Sequence, residues 1–238
     1  MSERIIVITG AGAGLAYQIA KQHLTAKDRV FGLEAFQMEG IKSLEEQYPK
    51  MQGFRCDITS EEDVMAAATE IKEQIGDRID IIYNVAGIFT EAGRVGIGET
   101  ELPMCKQMMD VNAFGMIRVC KAFDSHIKEG AVVLNVSSEA GSIGAARRNN
   151  EYAYCMSKAA MNMGAKILSN ELWSRNARVM CIEPGWMKTN MGGEAALASP
   201  RAVWPEETAR DIIGIVNGIN EIPRDQMFMT QKGDILPW

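Results

Sequence analysis

The chain alternates short apolar runs with amphipathic stretches, and this alternation constrains its fold more than any other feature. The runs cover 5–9, 29–33, 53–56, 79–83, 131–136 and 178–182. They are short, apolar and bounded by Gly, Asp or Asn, which suits strands buried on both faces. Segments with helical spacing follow them at 15–26, 35–47, 60–75, 104–128, 151–174 and 205–220. The third opens with Ser60-Glu61-Glu62-Asp63, an N-cap followed by first-turn acids. Strand–helix–strand alternation predicts parallel strands joined by right-handed crossovers. The expected fold is α/β: a doubly wound parallel sheet of about seven strands with helices on both faces. The last strand falls near 227–230.

Composition narrows the function classes. No Pro/Ser-rich linker, charge block or repeat divides the 238 residues, so one domain over 1–238 is expected. A net charge of −6 argues against a protein that neutralises nucleic-acid backbones. It leaves room for small anions, which a few backbone amides can hold. The five cysteines contain no C-x-x-C pair and read as free thiols in a reducing cytosol, hence a cytoplasmic protein. No run of ~18 apolar residues predicts a membrane helix. His23 and His126, the two histidines, lie far apart and read as surface helix residues. They provide little for a zinc site or a Ser-His-Asp triad, and no metal site is expected. The sixteen methionines are scattered and read as core filler.

The first strand ends in Thr9-Gly10-Ala11-Gly12-Ala13-Gly14-Leu15-Ala16. Glycines there allow a tight turn and let a pyrophosphate approach the next helix N-terminus. Glu34 ends the second strand, 20 residues after Gly14. An acid at that point can accept from adenosine ribose hydroxyls and repels a 2′-phosphate. Ala13 and Ala35 supply no cation for that phosphate, so NAD(H) is expected over NADP(H). The alternative for Glu34 is a helix-capping acid.

Here the chain resembles the short-chain dehydrogenase/reductase family, whose Rossmann-type domain the pattern T-G-x-x-x-G-x-G marks. Thr9, Gly10, Gly14 and Ala16 match it, with alanine at the third glycine. Asp57 and Ile58 match the residues that border the adenine. Asn84-Val85-Ala86-Gly87 matches the N-N-A-G element after the fourth strand, with Val at the second position. The resemblance implies cofactor contacts at Gly10, Gly12, Gly14, Leu15, Glu34, Asp57, Ile58, Asn84, Ala86 and Gly87.

Tyr154-Cys155-Met156-Ser157-Lys158 places a phenol and an ammonium one helical turn apart. An ammonium nearby favours phenolate and lowers the tyrosine pKa. The resemblance makes Tyr154 the proton donor or acceptor, and Lys158 its partner and a ribose contact. Asn135-Val136-Ser137-Ser138-Glu139-Ala140-Gly141 resembles N-x-S-S-x-x-G, which assigns Ser138 to the substrate oxygen and Ser137 to the cofactor side. Asn112 matches the helix asparagine that completes the set through a water. Tyr152 and Ser142 are competitors for the tyrosine and serine roles. Ser138 and Tyr154 lie 16 residues apart, a longer gap than the family pattern, with the extra residues in 145–150. Arg147 and Arg148 in that loop either meet an acidic substrate or a neighbouring subunit, or form a solvated pair.

Pro184-Gly185-Trp186-Met187-Lys188-Thr189 resembles P-G-x-x-x-T, whose loop contacts the nicotinamide. This implies cofactor contacts at Pro184, Gly185, Met187 and Thr189, with a substrate lid over 186–204. Trp186 and Met191 are candidate apolar pocket walls; core filling is the alternative. The segments 184–195 and 233–238 resemble the C-factor/sniffer-like carbonyl reductase subgroup. The implied activity is hydride transfer between NAD(H) and a secondary alcohol or ketone, or an aldehyde. The family also implies a homodimer or homotetramer, with no nucleic-acid or membrane partner. One rival is a catalytically weak NAD-binding regulatory or signalling protein. A nucleotide-sugar epimerase or dehydratase is disfavoured, because about 50 residues after Gly185 leave no room for its substrate domain.

Overall fold

Strands β1 (Ile5–Thr9), β2 (Arg29–Glu34), β3 (Met51–Arg55), β4 (Ile79–Asn84), β5 (Ile127–Val136), β6 (Arg178–Glu183) and β7 (Phe228–Thr230) form one sheet. The structure is a computed structural model that describes residues 3–238. The strand order is β3-β2-β1-β4-β5-β6-β7, and every pairing between these strands is parallel. The chain winds outward from β1 in one direction and from β4 in the other. Between them, at the carboxyl ends of the strands, such a sheet opens its crevice.

The helices are α1 (Gly14–Thr25), α2 (Met38–Gln47), α3 (Glu61–Ile75), α4 (Leu102–Met109), α5 (Gly115–Phe123), α6 (Tyr152–Glu171), α7 (Gly193–Ala198) and α8 (Pro205–Asn217). Strand alternation sorts them into two layers. Ile6 and Ile8 face Ile19, Leu44 and Ile212 of α1, α2 and α8. Val7 faces the opposite layer with Val64, Val119 and Met161 of α3, α5 and α6. Each such buried side chain contributes about 1.5–3 kcal/mol, so both faces hold the sheet.

Three expectations need correcting. The helix expected over 104–128 ends at Phe123, and β5 already begins at Ile127. The stretch between Gly115 and Gly130 contains no Gly or Pro, so no local stop signal marked the helix end at Phe123. The helix is also interrupted by a single π turn at Asp110–Phe114. The helix expected from 35 begins at Met38, because the Glu34 carboxylate accepts the Phe36 and Gln37 N–H groups and holds a turn there.

His23 is the third, since it is buried rather than on the surface. Its Nδ1 lies 2.7 Å from Asp28 Oδ2 and its Nε2 3.0 Å from the Tyr83 hydroxyl. Burial lowers the His23 pKa against the pull of Asp28. Burial alone would raise Asp28, but hydrogen bonds from His23 and Arg4 hold it at about 2. The ion pair in this cluster is therefore Arg4–Asp28, with a neutral imidazole donating to the same carboxylate.

Candidate active site

β1 ends at Thr9, whose hydroxyl accepts the Val85 and Ala86 N–H groups at 2.9 and 3.0 Å. This joins the turn after β1 to the end of β4. A Cβ on Gly12 would stand 2.2 Å from the Gln37 carbonyl oxygen, so no larger residue fits without a backbone shift. Gly14 takes φ +55° as it opens α1. Ala16, in place of the family's third glycine, is buried within the apolar layer, which absorbs its methyl.

The start of α1 has no capping side chain and no acid in its first turn. By contrast, α3 has Ser60 accepting from the Asp63 N–H and three first-turn acids. The uncapped amides of α1 are donors with a partial positive charge, and a pyrophosphate suits them. Glu34 lies across the loop. Its Oε2 accepts the Gly12 N–H at 2.9 Å, and its Oε1 accepts Phe36 and Gln37 N–H at 2.9 and 3.1 Å. A carboxylate has about four acceptor positions, so it retains capacity for a ribose hydroxyl. Asp57 turns back on Thr59, accepting its N–H and hydroxyl at 2.9 and 2.8 Å.

On α6, the buried Lys158 ammonium donates to the Val136 carbonyl at 2.9 Å and lies 5.8 Å from the Tyr154 ring centroid. Burial lowers the Lys158 pKa to about 8. Burial also pushes the Tyr154 phenol up to about 12, against a lowering hydrogen bond with Ser138 and the charge of Arg148. The expectation of a lysine-lowered phenol is therefore reversed: desolvation is the largest influence on Tyr154, and the Lys158 ammonium lies over its ring face. Phe89 packs edge-on to Tyr154 with centroids 5.0 Å apart.

Asn112 occupies the π turn. Its Oδ1 accepts the Ile88 N–H at 2.7 Å, and its Nδ2 donates to the Ile88 carbonyl at 3.0 Å and the Ser157 hydroxyl at 2.9 Å. These bonds anchor the stretch after Gly87 and explain the local widening of the helix. A Cβ on Gly87 would lie 3.1 Å from Asn112 Oδ1 and 3.6 Å from Lys158 Nζ, so the three residues meet behind the cleft floor.

The loop after β6 leaves the sheet at Glu183, whose carboxylate accepts the Gly185 N–H at 2.8 Å and whose pKa burial raises. Met187 and Val203 form a parallel bridge that closes the loop. The Lys188 ammonium lies 5.0 Å from the Trp204 ring centroid.

These parts surround one cleft of about 620 Å³. Gly10, Gly14, Leu15, Glu34, Asp57, Ile58, Ala86, Gly87, Tyr154, Lys158, Pro184, Met187, Thr189 and Met191 line it. Ser137 also lines it. Asn112 and Ser138 sit just outside its wall, each linked to a lining residue as described. Gly12, Asn84, Gly185 and Trp186 do not line it. Gly12 spends its N–H on Glu34. Asn84 is buried in the sheet, donating to Asn135 Oδ1 at 2.9 Å, and Trp186 is 47% exposed. The competitors point elsewhere: Ser142 donates to the Pro237 carbonyl, and Tyr152 lines a separate small pocket of about 170 Å³. Sequence reasoning missed Phe36, Val85, Lys188 and Asn190 among the lining residues. Their only signal was position after a strand end. It also passed over Phe89 and Glu183.

The sequence profile of the short chain dehydrogenase family matches residues 4–199. The chain belongs to the short-chain dehydrogenase family. Members are oxidoreductases built around a nicotinamide cofactor, and the glycine loop and uncapped α1 fit that group. The C-signal protein of Myxococcus xanthus is 30% identical over 163 residues, 67% of this chain and 93% of that protein. In fold, this chain is similar to the NADPH-bound carbonyl reductase of chicken fatty liver, with a TM-score of 0.88 at 22% identity and full coverage of both chains. The carbonyl reductase Sniffer of D. melanogaster gives a TM-score of 0.86 at 22% identity, again over the whole of both chains. Among the described residues, no helix is long and apolar enough to cross a membrane. No group of three His, Cys, Asp or Glu among them could hold a metal ion.

Proposed function

We propose that this dehydrogenase transfers hydride between NAD(H) and a secondary alcohol or ketone, or an aldehyde, with Tyr154 as its acid/base. The carrying observation is that Tyr154 and Lys158 line one cleft with the glycine loop, with Asn112 and Ser138 placed behind that wall. When bound, the nicotinamide supplies or accepts the hydride. The Tyr154 phenol, neutral at pH 7, donates its proton to the carbonyl oxygen in reduction and recovers it in oxidation. Ser138 holds that oxygen. Lys158 orients the cofactor ribose and, when charged, stabilises the tyrosinate left after proton transfer. Asn112 fixes the Ile88 backbone and the contact between the π turn and α6.

Glu34 supports NAD(H) over NADP(H). Its carboxylate borders the cleft beside the α1 amides, where a 2′-phosphate would meet a like charge. The chicken carbonyl reductase, described as NADPH-bound, makes this preference a point to measure. Apolar Met187 and Met191 in the cleft suit a medium-sized carbonyl compound. Exposed Phe114, Ile117, Met163 and Ile167 on the helical face of the π turn, α5 and α6 suit self-association. The test is a panel of alcohols, ketones and aldehydes with NAD(H) and NADP(H), read by absorbance of the reduced nicotinamide. Resemblance to C-signal favours a second reading, a binder with a regulatory or signalling role; tight NADH binding without turnover of any substrate would select it.

A further inference from the structure

Ser138 and Tyr154 belong to different elements, and the segment between them is longer than the family pattern. Arg148 lies in the middle of that segment. Its guanidinium makes a salt bridge to the Glu139 carboxylate, and its Nε lies 3.4 Å from the other Glu139 oxygen. Its second terminal nitrogen pairs with Glu151 Oε2. Glu139 directly follows Ser138, and Glu151 stands three residues before Tyr154. One side chain therefore joins the residues flanking the reacting hydroxyls.

Glu151 is built for this. It takes φ +64°, an uncommon conformation for a residue with a Cβ, and it caps α6 without any side-chain cap bond. Its buried carboxylate turns away from the helix to meet two arginines. Arg94 Nε lies 3.1 Å from Glu151 Oε1, and the Arg94 guanidinium covers the Phe89 ring at 5.0 Å. Phe89 in turn meets Tyr154 edge-on. At its other end the segment is held by Ser142 donating to the Pro237 carbonyl at 2.5 Å and by the Gly144 N–H donating to the Trp238 carbonyl at 2.6 Å. The Glu139 side chain is 50% exposed, and such a surface pair adds little stability by itself. The value of the contact is geometric.

We propose that Arg148 is a positioning residue that sets Ser138 against Tyr154 by gripping the residues beside each. This rests on the oxidoreductase reading above. Lysine cannot replace it fully, because a single ammonium lacks the planar fork that reaches two carboxylates. Small misplacements of reacting groups cost up to about a hundredfold in rate.

The test compares the full-length wild type with Arg148→Ala and Arg148→Lys. In the unliganded protein, amide hydrogen exchange over 139–151 is expected to speed up in both variants, more in Ala. With NADH and the best carbonyl substrate of the panel, Arg148→Ala is expected to lower kcat about 10–100-fold while the NADH KM stays within about twofold. Added guanidinium ion should restore part of that kcat, which a merely structural loss would not allow. Unchanged exchange over 139–151 in Arg148→Ala, or wild-type kcat in that variant, overturns the proposal. If Arg148→Ala does not fold, Arg148→Lys is judged by the same two criteria. If the wild type turns over nothing, the oxidoreductase reading fails on its own, and the exchange measurement still decides whether Arg148 grips the segment.

Discussion

The Lys158 ammonium lies 5.8 Å from the centre of the Tyr154 ring and donates its hydrogen bond to the Val136 carbonyl. Lys158 is buried and Tyr154 half-buried, and desolvation moves each toward its neutral form: Lys158 down to about 8, Tyr154 up to about 12. The cleft thus holds a protonated acid beside a cation that titrates near neutrality.

A pH dependence follows from these two values. For carbonyl reduction, kcat/KM should be flat below about pH 8 and fall by up to about tenfold per pH unit above it, as Lys158 loses its proton. Oxidation of the alcohol should instead rise with pH, because Tyr154 must accept a proton. Lys158→Arg should move the descending limb upward, since a guanidinium stays charged. Glu139, Glu183 and Arg148 also bear on Tyr154, so salt should shift the limb only slightly if these stay paired. Steady-state rates from pH 6 to pH 10 in both directions check this. A pH-independent reduction rate would contradict it.

Glu34 should set cofactor choice. The wild type is expected to use NADH over NADPH by at least about tenfold in kcat/KM, equivalent to ~1.4 kcal/mol. Glu34→Gln keeps an acceptor oxygen for the Gly12 or Gln37 N–H and removes the charge. It should narrow the ratio mainly by improving NADPH. An equal preference in the wild type would remove the argument from charge.

The Arg4–Asp28–His23–Tyr83 cluster predicts a stability effect remote from the cleft. The Asp28 pKa is lowered from 3.8 to about 2, so its contribution is fully present above pH 4 and is lost as pH falls through 2. Asp28→Asn should cost about 2–3 kcal/mol at pH 7 and much less near pH 2. Urea unfolding at several pH values reads this directly. A variant as stable as the wild type at pH 7 would contradict it.

Asn112→Ala should release the Ile88 backbone and the Ser157 hydroxyl together. The expected result is a drop in kcat of about tenfold or more, with faster amide exchange at Ile88. Unchanged exchange at Ile88 would show that the π turn does not depend on this side chain.

Much of this architecture could be read from the sequence. Buried parallel strands announce themselves as apolar runs, and the spacing of Thr9, Gly14, Glu34, Tyr154 and Lys158 encodes a strand–turn–helix unit and one helical turn. Other features depend on tertiary contact and left no local pattern. His23 looked like a surface residue because its partners lie outside its helix, Asp28 in the turn before β2 and Tyr83 on β4. The π turn at Asn112 arises from bonds to Ile88 and Ser157, distant in sequence. The direction of the Tyr154 shift depends on how deeply the fold buries it, which residue spacing does not specify. Arg148 stood out only as a charge in an insertion, and its two carboxylate partners emerge only when the segment folds back on the start of α6.

The most direct test of the central claim is Tyr154→Phe assayed against the substrate panel alongside NADH binding by fluorescence. The variant is expected to lose about 10²–10⁴-fold in turnover while binding NADH within about twofold of the wild type. Turnover at the wild-type level in Tyr154→Phe would contradict Tyr154 as the acid/base.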